Sequence, residues 1–391
     1  MIEDLEQILK TVLPVDPSFR SIGHEELDRH ITEARQSALA NSNDDFLLSL
    51  MRLLALPANG HTRLIPNDAI SVLPLRFVSI AAATRLLDAT SEFSEAIGGE
   101  LISINGVPAG EIERSAETYL AGTPQRKRVI GAILFAWPGA LQRLGVWSGS
   151  DKITYKIRDN AGQISELSLD AANLVRTSTF YPRNEHGKAD ASWLPRPYCR
   201  VKDFGQPGML MILPSFFDAG ETELSGAIAE AAERVRSRPG SPLVIDIRGN
   251  TGGDFLRTMP LIDAISRGSE ERRVGLLVDK FTFSAAVVFA AILKDRLGER
   301  LVLIGEEMGD GLTFFAEGGT IDLPTSGAVV RYSTAFHDWA GGRIDETTPA
   351  DIAQQIVSIG DLKLDNPWVA NSDDTETLER FCLKVFDGLN T

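Results

Sequence analysis

The chain has 391 residues, 43% apolar and 24% charged, with a formal net charge of −15. That length suits two or three domains with sizeable cores, and the acidic balance repels phosphate backbones, which argues against nucleic acid as a partner. Two cysteines, Cys199 and Cys382, make no disulfide framework, and neither stands in a Cys-x-x-Cys or Cys/His cluster, so no metal or cofactor site is expected.

The N-terminus begins acidic and its apolar residues are interrupted by charges, so it is not a signal peptide. No stretch approaches the roughly 20 apolar residues of a membrane span. The expectation is a cytoplasmic protein, and a chain trimmed of its export signal reads the same way. Residues 1–66 read as a helical domain: Leu5, Ile8 and Leu9 have helical spacing, as do Leu27, Ile31 and Ala34. The run Phe46 to Leu54 is apolar on most sides and predicts a buried helix, stopped by Pro57 and Asn59-Gly60. His61 to Ile65 then alternates as a short strand does.

Residues 67–190 read as a β-rich domain with a helical insertion over 110–147. Gly98 to Val107 alternates and ends on Asn105-Gly106, a tight-turn signal. Lys152–Ile157 and Ile164–Leu169 alternate around Asn160-Ala161-Gly162 and predict a hairpin. Residues 175–200, with Pro182, Pro195 and Pro197, read as a linker. From 191 to 391 the pattern changes. Continuous apolar runs at Leu243–Ile247, Val274–Val278 and Leu301–Ile304 are separated by helical segments at 254–267 and 284–297. Apolar strands alternating with helices predict a parallel sheet buried on both faces.

Three features carry chemistry. Asp246-Ile247-Arg248-Gly249-Asn250-Thr251-Gly252-Gly253 closes a buried strand just before a helix, where parallel sheets gather their sites and where glycines let the backbone approach a ligand. Ser284, after Phe281-Thr282-Phe283, opens a nearly wholly apolar helix; a serine at such a turn is held exposed beside the positive end of the helix dipole. Of the five histidines, His24, His30 and His186 sit in polar surroundings and are expected to be exposed, whereas His61 lies between a Gly turn and a strand, where it can be held rigidly. Histidine is the usual base for a serine because its pKa lies near the working pH. Taken one at a time, these are an ordinary tight turn, a capping serine and a structural histidine.

As an ordered set they resemble the tail-specific (C-terminal processing) peptidases and the tricorn protease core, a match that spans most of the chain. Leu56-Pro57-Ala58-Asn59-Gly60-His61-Thr62 is similar to the family's Asp-Gly-His-Thr signature, and Asp246–Gly253 to its Asp-x-Arg-x-Asn-x-Gly-Gly motif. Phe281–Ala286 is similar to its Thr-x-Ser-Ala nucleophile motif, and Ile304-Gly305-Glu306 to the Gly-Glu that follows. Pro74–Phe77 and Gly98–Val107 resemble its PDZ-like domain. The implied fold is an α/β core of crotonase-like ββα (parallel sheet) type, with a helical N-terminal domain and a PDZ-like domain.

The family divides by how its serine is activated. Bacterial members place a lysine in a Gly-Lys-Gly segment; here the segment is Gly309-Asp310-Gly311, with no lysine between Lys294 and Lys363. Lys294 lies ten residues into the helix that Ser284 opens, about 15 Å along it. The tricorn branch uses a histidine, which His61 matches, although Gly60 stands where tricorn has a serine. The implied chemistry is acyl transfer. Ser284 attacks a peptide carbonyl, His61 is the base, the amides of Gly252 or Gly253 and of Ala285 hold the oxyanion, and Asp345, Glu346 or neither orients the histidine. The implied partner is a peptide or protein substrate, with a homo-oligomer in keeping with the family. Two competing readings are a catalytically silent protein that binds peptide or apolar ligands on this fold, and a crotonase-type acyl-CoA enzyme.

Overall fold

A computed structural model describes residues 1–179, 198–204, 208–218, 222–267, 272–368 and 375–389. The expected linker therefore falls mostly outside the described residues, as do Pro182, His186, Pro195 and Pro197. The chain divides into two compact units: Met1–His186 with Phe315–Ala335, and Gly187–Phe314 with Phe336–Thr391.

In the first unit, the expected buried helix runs Asn43–Ala55 and is capped by Ser42, whose Oγ accepts from the Asp45 amide at 3.4 Å and donates to Asp45 Oδ2 at 2.8 Å. It buries Phe46, Leu47, Leu50, Leu53 and Leu54 completely. An antiparallel sheet follows in the order Leu75–Ile80, Ala83–Ala89, Glu100–Ile104, Lys152–Arg158, Ile164–Asp170. Its Asn105-Gly106 turn has both residues at positive φ, +48° and +83°, the tight-turn geometry that dipeptide favours. The expected 152–169 hairpin forms, and the 110–147 insertion is helical in short pieces, Ala109–Ala116, Pro124–Ile130 and Pro138–Arg143.

The domain division differs from the three-domain expectation. Phe46 and Leu50 of the helical segment share one core with Phe77, Leu101, Trp137 and Tyr155 of the β-rich segment, so residue 66 does not separate two cores. Phe315–Ala335, expected within the α/β region, belongs to the first unit. Its strand Val329–Tyr332 pairs antiparallel with Arg63–Ile65, and Leu323, Ala328 and Val330 enter the core. A short polar-and-apolar alternation leaves its partner strand unspecified, which is why the sequence does not show this return.

The second unit is built on a six-stranded sheet ordered Arg200–Asp203, Met209–Ile212, Leu243–Asp246, Val274–Val278, Leu301–Gly305, Asn366–Pro367. The first pair is antiparallel and every other pairing is parallel. The crossovers are the helices Glu223–Arg236, Met259–Ser266 and Ala285–Leu297, as the alternating apolar pattern requires. A helix the periodicity reading left out, Thr375–Leu389, lays Leu378, Cys382 and Phe386 at i, i+4 and i+8 on Leu210, Val244, Leu277 and Ile304. The loop that bears Gly252 and Gly253 and the turn that bears Ser284 leave the C-terminal ends of central parallel strands, where open α/β sheets place their ligands.

Candidate active site

Where the strand Val274–Val278 ends, Asp279 to Phe283 turn the chain into the helix Ala285–Leu297. Ser284 stands at the junction with φ +55° and ψ −125°. A side chain with a Cβ rarely adopts that backbone, and holding it there costs about 1–3 kcal/mol. The surroundings enforce it: ten residues of the helix, Ala285 to Leu293 and Leu297, are buried and fix the turn from one side. From the other side Gly252 presses against Ser284. A Cβ on Gly252 would lie 2.9 Å from Ser284 Cβ and 3.1 Å from the Ala285 nitrogen, and its φ is +105°. Gly253, at φ +132°, is forced as well, because a Cβ there would lie 2.0 Å from the Phe216 carbonyl carbon. Two consecutive glycines are thus wedged between the serine turn and Phe216, whose amide donates to Gly252 O at 2.9 Å and whose carbonyl accepts from the Asp254 amide at 3.0 Å.

The structure thus brings Ser284, Ala285, Gly252 and Gly253 together, and it separates the two glycines chemically. The Gly252 amide is taken up by Asn250 Oδ1 at 2.9 Å. Among the described residues, nothing accepts from the amides of Gly253 and Ala285. Of the two glycines the sequence offered for an oxyanion site, Gly253 keeps its amide open among the described residues and Gly252 does not. Asn250 is fully buried and fixed at its other end by Nδ2 donating to Leu213 O at 2.9 Å.

The glycine loop is anchored at its base by Arg248, whose Nε and Nη2 fork onto Asp246 Oδ1 and Oδ2 at 2.9 and 2.8 Å. This bidentate pair, both side chains 6% exposed, has the planar geometry that makes arginine–carboxylate bonds strong. The guanidinium also lies 5.0 Å from the centre of the Trp368 ring.

Sequence reasoning missed two residues of the serine turn. Asp279 Oδ1 accepts from the amides of Phe281 and Thr282, each at 3.0 Å, and from the Gly249 amide at 3.0 Å. An aspartate three residues before a threonine at a strand exit is an Asx-turn signal and was readable. Lys280 is 3% exposed and pairs with Glu306 at 3.3 Å. Its signal is weak, because nothing local distinguishes a buried lysine from a solvated one. Gly309, in the segment where bacterial relatives carry their lysine, donates to Thr282 O at 2.9 Å, and a Cβ on it would lie 2.3 Å from Lys280 O. That segment does pack on the serine turn, but it brings Asp310 there rather than a lysine.

His61 belongs to the first unit and is 3% exposed, and His30, expected to be exposed, is buried as well, beside Arg29 and Glu33. The His61 turn is held from several sides. Asn59 Nδ2 lies 3.0 Å from Thr62 Oγ1 and 2.9 Å from Ser333 Oγ, and Asn59 Oδ1 accepts from the Phe315 amide at 3.3 Å. Thr62 Oγ1 and the Ser333 amide both donate to Asp16 Oδ2, at 2.6 and 3.0 Å, while Asp16 Oδ1 accepts from Ser18. The buried Asp16 carboxylate and Ser333 are partners of the histidine turn that lie 46 and 271 residues from Thr62, beyond any local motif.

Asp345 and Glu346 lie in the second unit. Asp345 Oδ1 accepts from the amide and the hydroxyl of Thr347, both at 2.7 Å, and so caps its own turn. Thr347 Oγ1 accepts from the Phe336 amide at 2.9 Å and Thr348 Oγ1 donates to Phe336 O at 2.9 Å, which fastens that turn to the neighbouring strand. Glu346 is exposed. Beside them the sequence reading overlooked His337, 1% exposed and stacked on Phe314 with ring centres 4.8 Å apart. Burial pushes its pKa down to about 4, so it is neutral at physiological pH.

A two-unit α/β protein with a strained serine between a helix start and a double-glycine loop is the class that fold and site define. No family model matches the sequence, and no curated protein matches it. Among solved structures, the chain is similar over its whole length to mature CPAF complexed with lactacystin, with a TM-score of 0.60 and 14% identity, covering 100% of this chain and 99% of that one. A second structure of mature CPAF gives a TM-score of 0.59 at 14% identity, covering 100% and 98%. The photosystem II D1 C-terminal processing protease is 16% identical over 97% of this chain and 95% of that one, at a TM-score of 0.39, too low to argue from. At 14% identity, what the likeness to CPAF establishes is the fold.

Proposed function

We propose that this chain is a serine-type endopeptidase of the tail-specific and tricorn-core type, cleaving peptide bonds through an acyl-enzyme on Ser284. The observation that carries the reading is the backbone of Ser284, at φ +55°, clamped between a buried helix and Gly252. Strain of this kind persists where a site needs a side chain aimed at a particular point. A catalytically silent binding protein gives that strain no purpose.

In this reading Ser284 Oγ attacks the carbonyl carbon of a peptide or protein substrate, and its proton passes to His61. The negative charge that develops on the carbonyl oxygen is met by the amides of Ala285 and Gly253, each supplying about 3 kcal/mol in the transition state. The protonated imidazole then gives its proton to the leaving amine, and water releases the acyl group. The orienting acid falls to Glu346, because Asp345 Oδ1 already accepts two hydrogen bonds within its own turn. The antiparallel sheet of the first unit takes the PDZ-like role and the parallel sheet of the second is the crotonase-like ββα core.

The test is covalent labelling of the intact chain with a fluorophosphonate probe. Mass spectrometry is expected to place the label on Ser284. Ser284→Ala abolishes it, and His61→Ala slows it by about 10²- to 10⁴-fold, the usual contribution of a general base. A wild-type chain that takes no label sinks the proposal.

A further inference from the structure

We infer that Asp279 is a positioning residue that holds the glycine loop and the serine turn as one body and so fixes where the two open amides stand relative to Ser284. The inference rests on the peptidase reading above and deepens it. An ordinary Asx turn accounts for part of what Asp279 does, namely accepting from the amides of Phe281 and Thr282 just ahead of it. It does not account for the bond to Gly249, 30 residues away, whose amide lies 3.0 Å from Oδ1 and 3.1 Å from Oδ2. Gly249 opens the loop that ends in Gly252 and Gly253. One half-buried carboxylate therefore collects donors from both segments of the site.

Three further links show that the segments are tied along their length. At the base, Thr282 Oγ1 accepts from the Asp279 amide at 3.0 Å and lies 3.1 Å from Ile247 O, the residue before the loop's arginine. In the middle, the Phe283 amide donates to Asn250 O at 3.1 Å. At the top, Gly252 meets Ser284 with no room for a Cβ. The links above Asp279 are one backbone hydrogen bond and one close approach of Gly252 to Ser284. Asp279 is the only side-chain group among the described residues that accepts from an amide of the glycine loop and from amides of the serine turn together. Three amides converging on it suit the ionised, acceptor-only form. Burial raises its pKa, and the Gly249, Phe281 and Thr282 amides and the neighbouring Arg248 oppose that rise.

The discriminating variant is Asp279→Asn. Its amide oxygen, in the place of Oδ1, can still accept from Phe281 and Thr282, but an NH₂ group replaces Oδ2 and sets a donor against the Gly249 amide at 3.1 Å, so that the two-oxygen acceptor for Gly249 is reduced to one oxygen already shared with two other amides. Two measurements on the intact chain decide the matter: the maximal inactivation rate and half-saturation constant for the fluorophosphonate probe, and hydrogen exchange at Gly249. The expected result is an inactivation rate lower by about 10- to 100-fold, the scale set by misplacing reacting groups by about 1 Å. The half-saturation constant stays within about threefold and Gly249 exchanges faster, while the melting temperature accounts for none of the loss. An unchanged inactivation rate overturns the inference, as does a fall that merely follows the folded fraction. If the wild-type chain takes no label, the serine-nucleophile reading fails, and exchange at Gly249 then decides the coupling by itself: unaltered exchange in Asp279→Asn overturns it.

Discussion

The His61 turn in the first unit and the Ser284 turn in the second are both braced by an aspartate that gathers donors from distant chain, yet they store strain in different places. In the first, the left-handed residue is Ala58, three positions before the histidine, and the imidazole follows a well-bonded turn. In the second, the left-handed residue is the candidate nucleophile itself. The difference matches the work proposed for each. A base needs its ring held within reach of a proton, which hydrogen bonds to its turn achieve. A nucleophile needs its hydroxyl aimed outward from a buried helix start, which calls for a backbone that only firm packing maintains. The bracing differs accordingly. Asp16 is 2% exposed and divides its oxygens between two hydroxyls, of Thr62 and Ser18, and two amides, of Ser18 and Ser333. Asp279 works almost wholly on backbone amides.

The sharpest way to break this comparison is Gly252→Ala. The added methyl meets Ser284 Cβ at 2.9 Å at a backbone φ of +105°, so the serine turn or the glycine loop has to move. Probe labelling is expected to fall by about 10²-fold or more, with about 1–3 kcal/mol lost in denaturant unfolding of the chain. Labelling at the wild-type rate would show that the strained contact has no part in the chemistry.

A second test asks whether the buried polar groups of the second unit tune stability. His337 has its pKa lowered from 6.5 to about 4 by burial, so the folded state favours the neutral ring. The stability this confers is fully present above pH 6.5 and drains away as pH falls through 6.5 towards 4, amounting to about 3 kcal/mol over that window. His337→Phe, which preserves the stack on Phe314, is expected to flatten that acid limb in unfolding measured from pH 7 to pH 4. An unaltered limb would mean that other groups carry it.

The smallest effect is expected in the first unit. Thr62→Val keeps the shape of the side chain and removes the hydroxyl that joins Asn59 to Asp16, leaving Asp16 Oδ2 one donor short. The expected cost is about 1–3 kcal/mol by thermal or denaturant unfolding, with labelling reduced far less than by Gly252→Ala. A larger loss of labelling than Gly252→Ala produces would reverse the order drawn between the two turns.

Much of the second unit was legible beforehand because its signals are local. Val274–Val278 is apolar throughout since both faces of a central parallel strand are covered, and Ala285–Leu293 is apolar all round since that helix is buried on every side. Ser284 and the Gly252-Gly253 pair could be singled out because a strand-to-helix turn and a forced glycine leave their mark at the position itself. Asp16, Ser333 and the Asp279–Gly249 bond left no such mark. Each depends on which distant segment docks beside it, and a polar residue reads the same from sequence whether it meets solvent or a buried amide. The C-terminal helix was missed for a related reason: its apolar face, Leu378, Cys382 and Phe386, becomes meaningful only against the sheet it covers.

By itself, then, the sequence determined the alternation of apolar strands and helices from Leu243 to Ile304, the turn at Asn105-Gly106 and the residues proposed to carry acyl-transfer chemistry, since all of these follow from side-chain size, backbone freedom and hydrophobic period over a few neighbours. Tertiary structure alone decided that Phe315–Ala335 returns to the first unit, that Ser284 is held at a backbone angle its own residue type resists, and that Gly253 rather than Gly252 keeps an open amide. Those outcomes turn on contacts between segments tens to hundreds of residues apart, whose free energies exist only once the chain has folded.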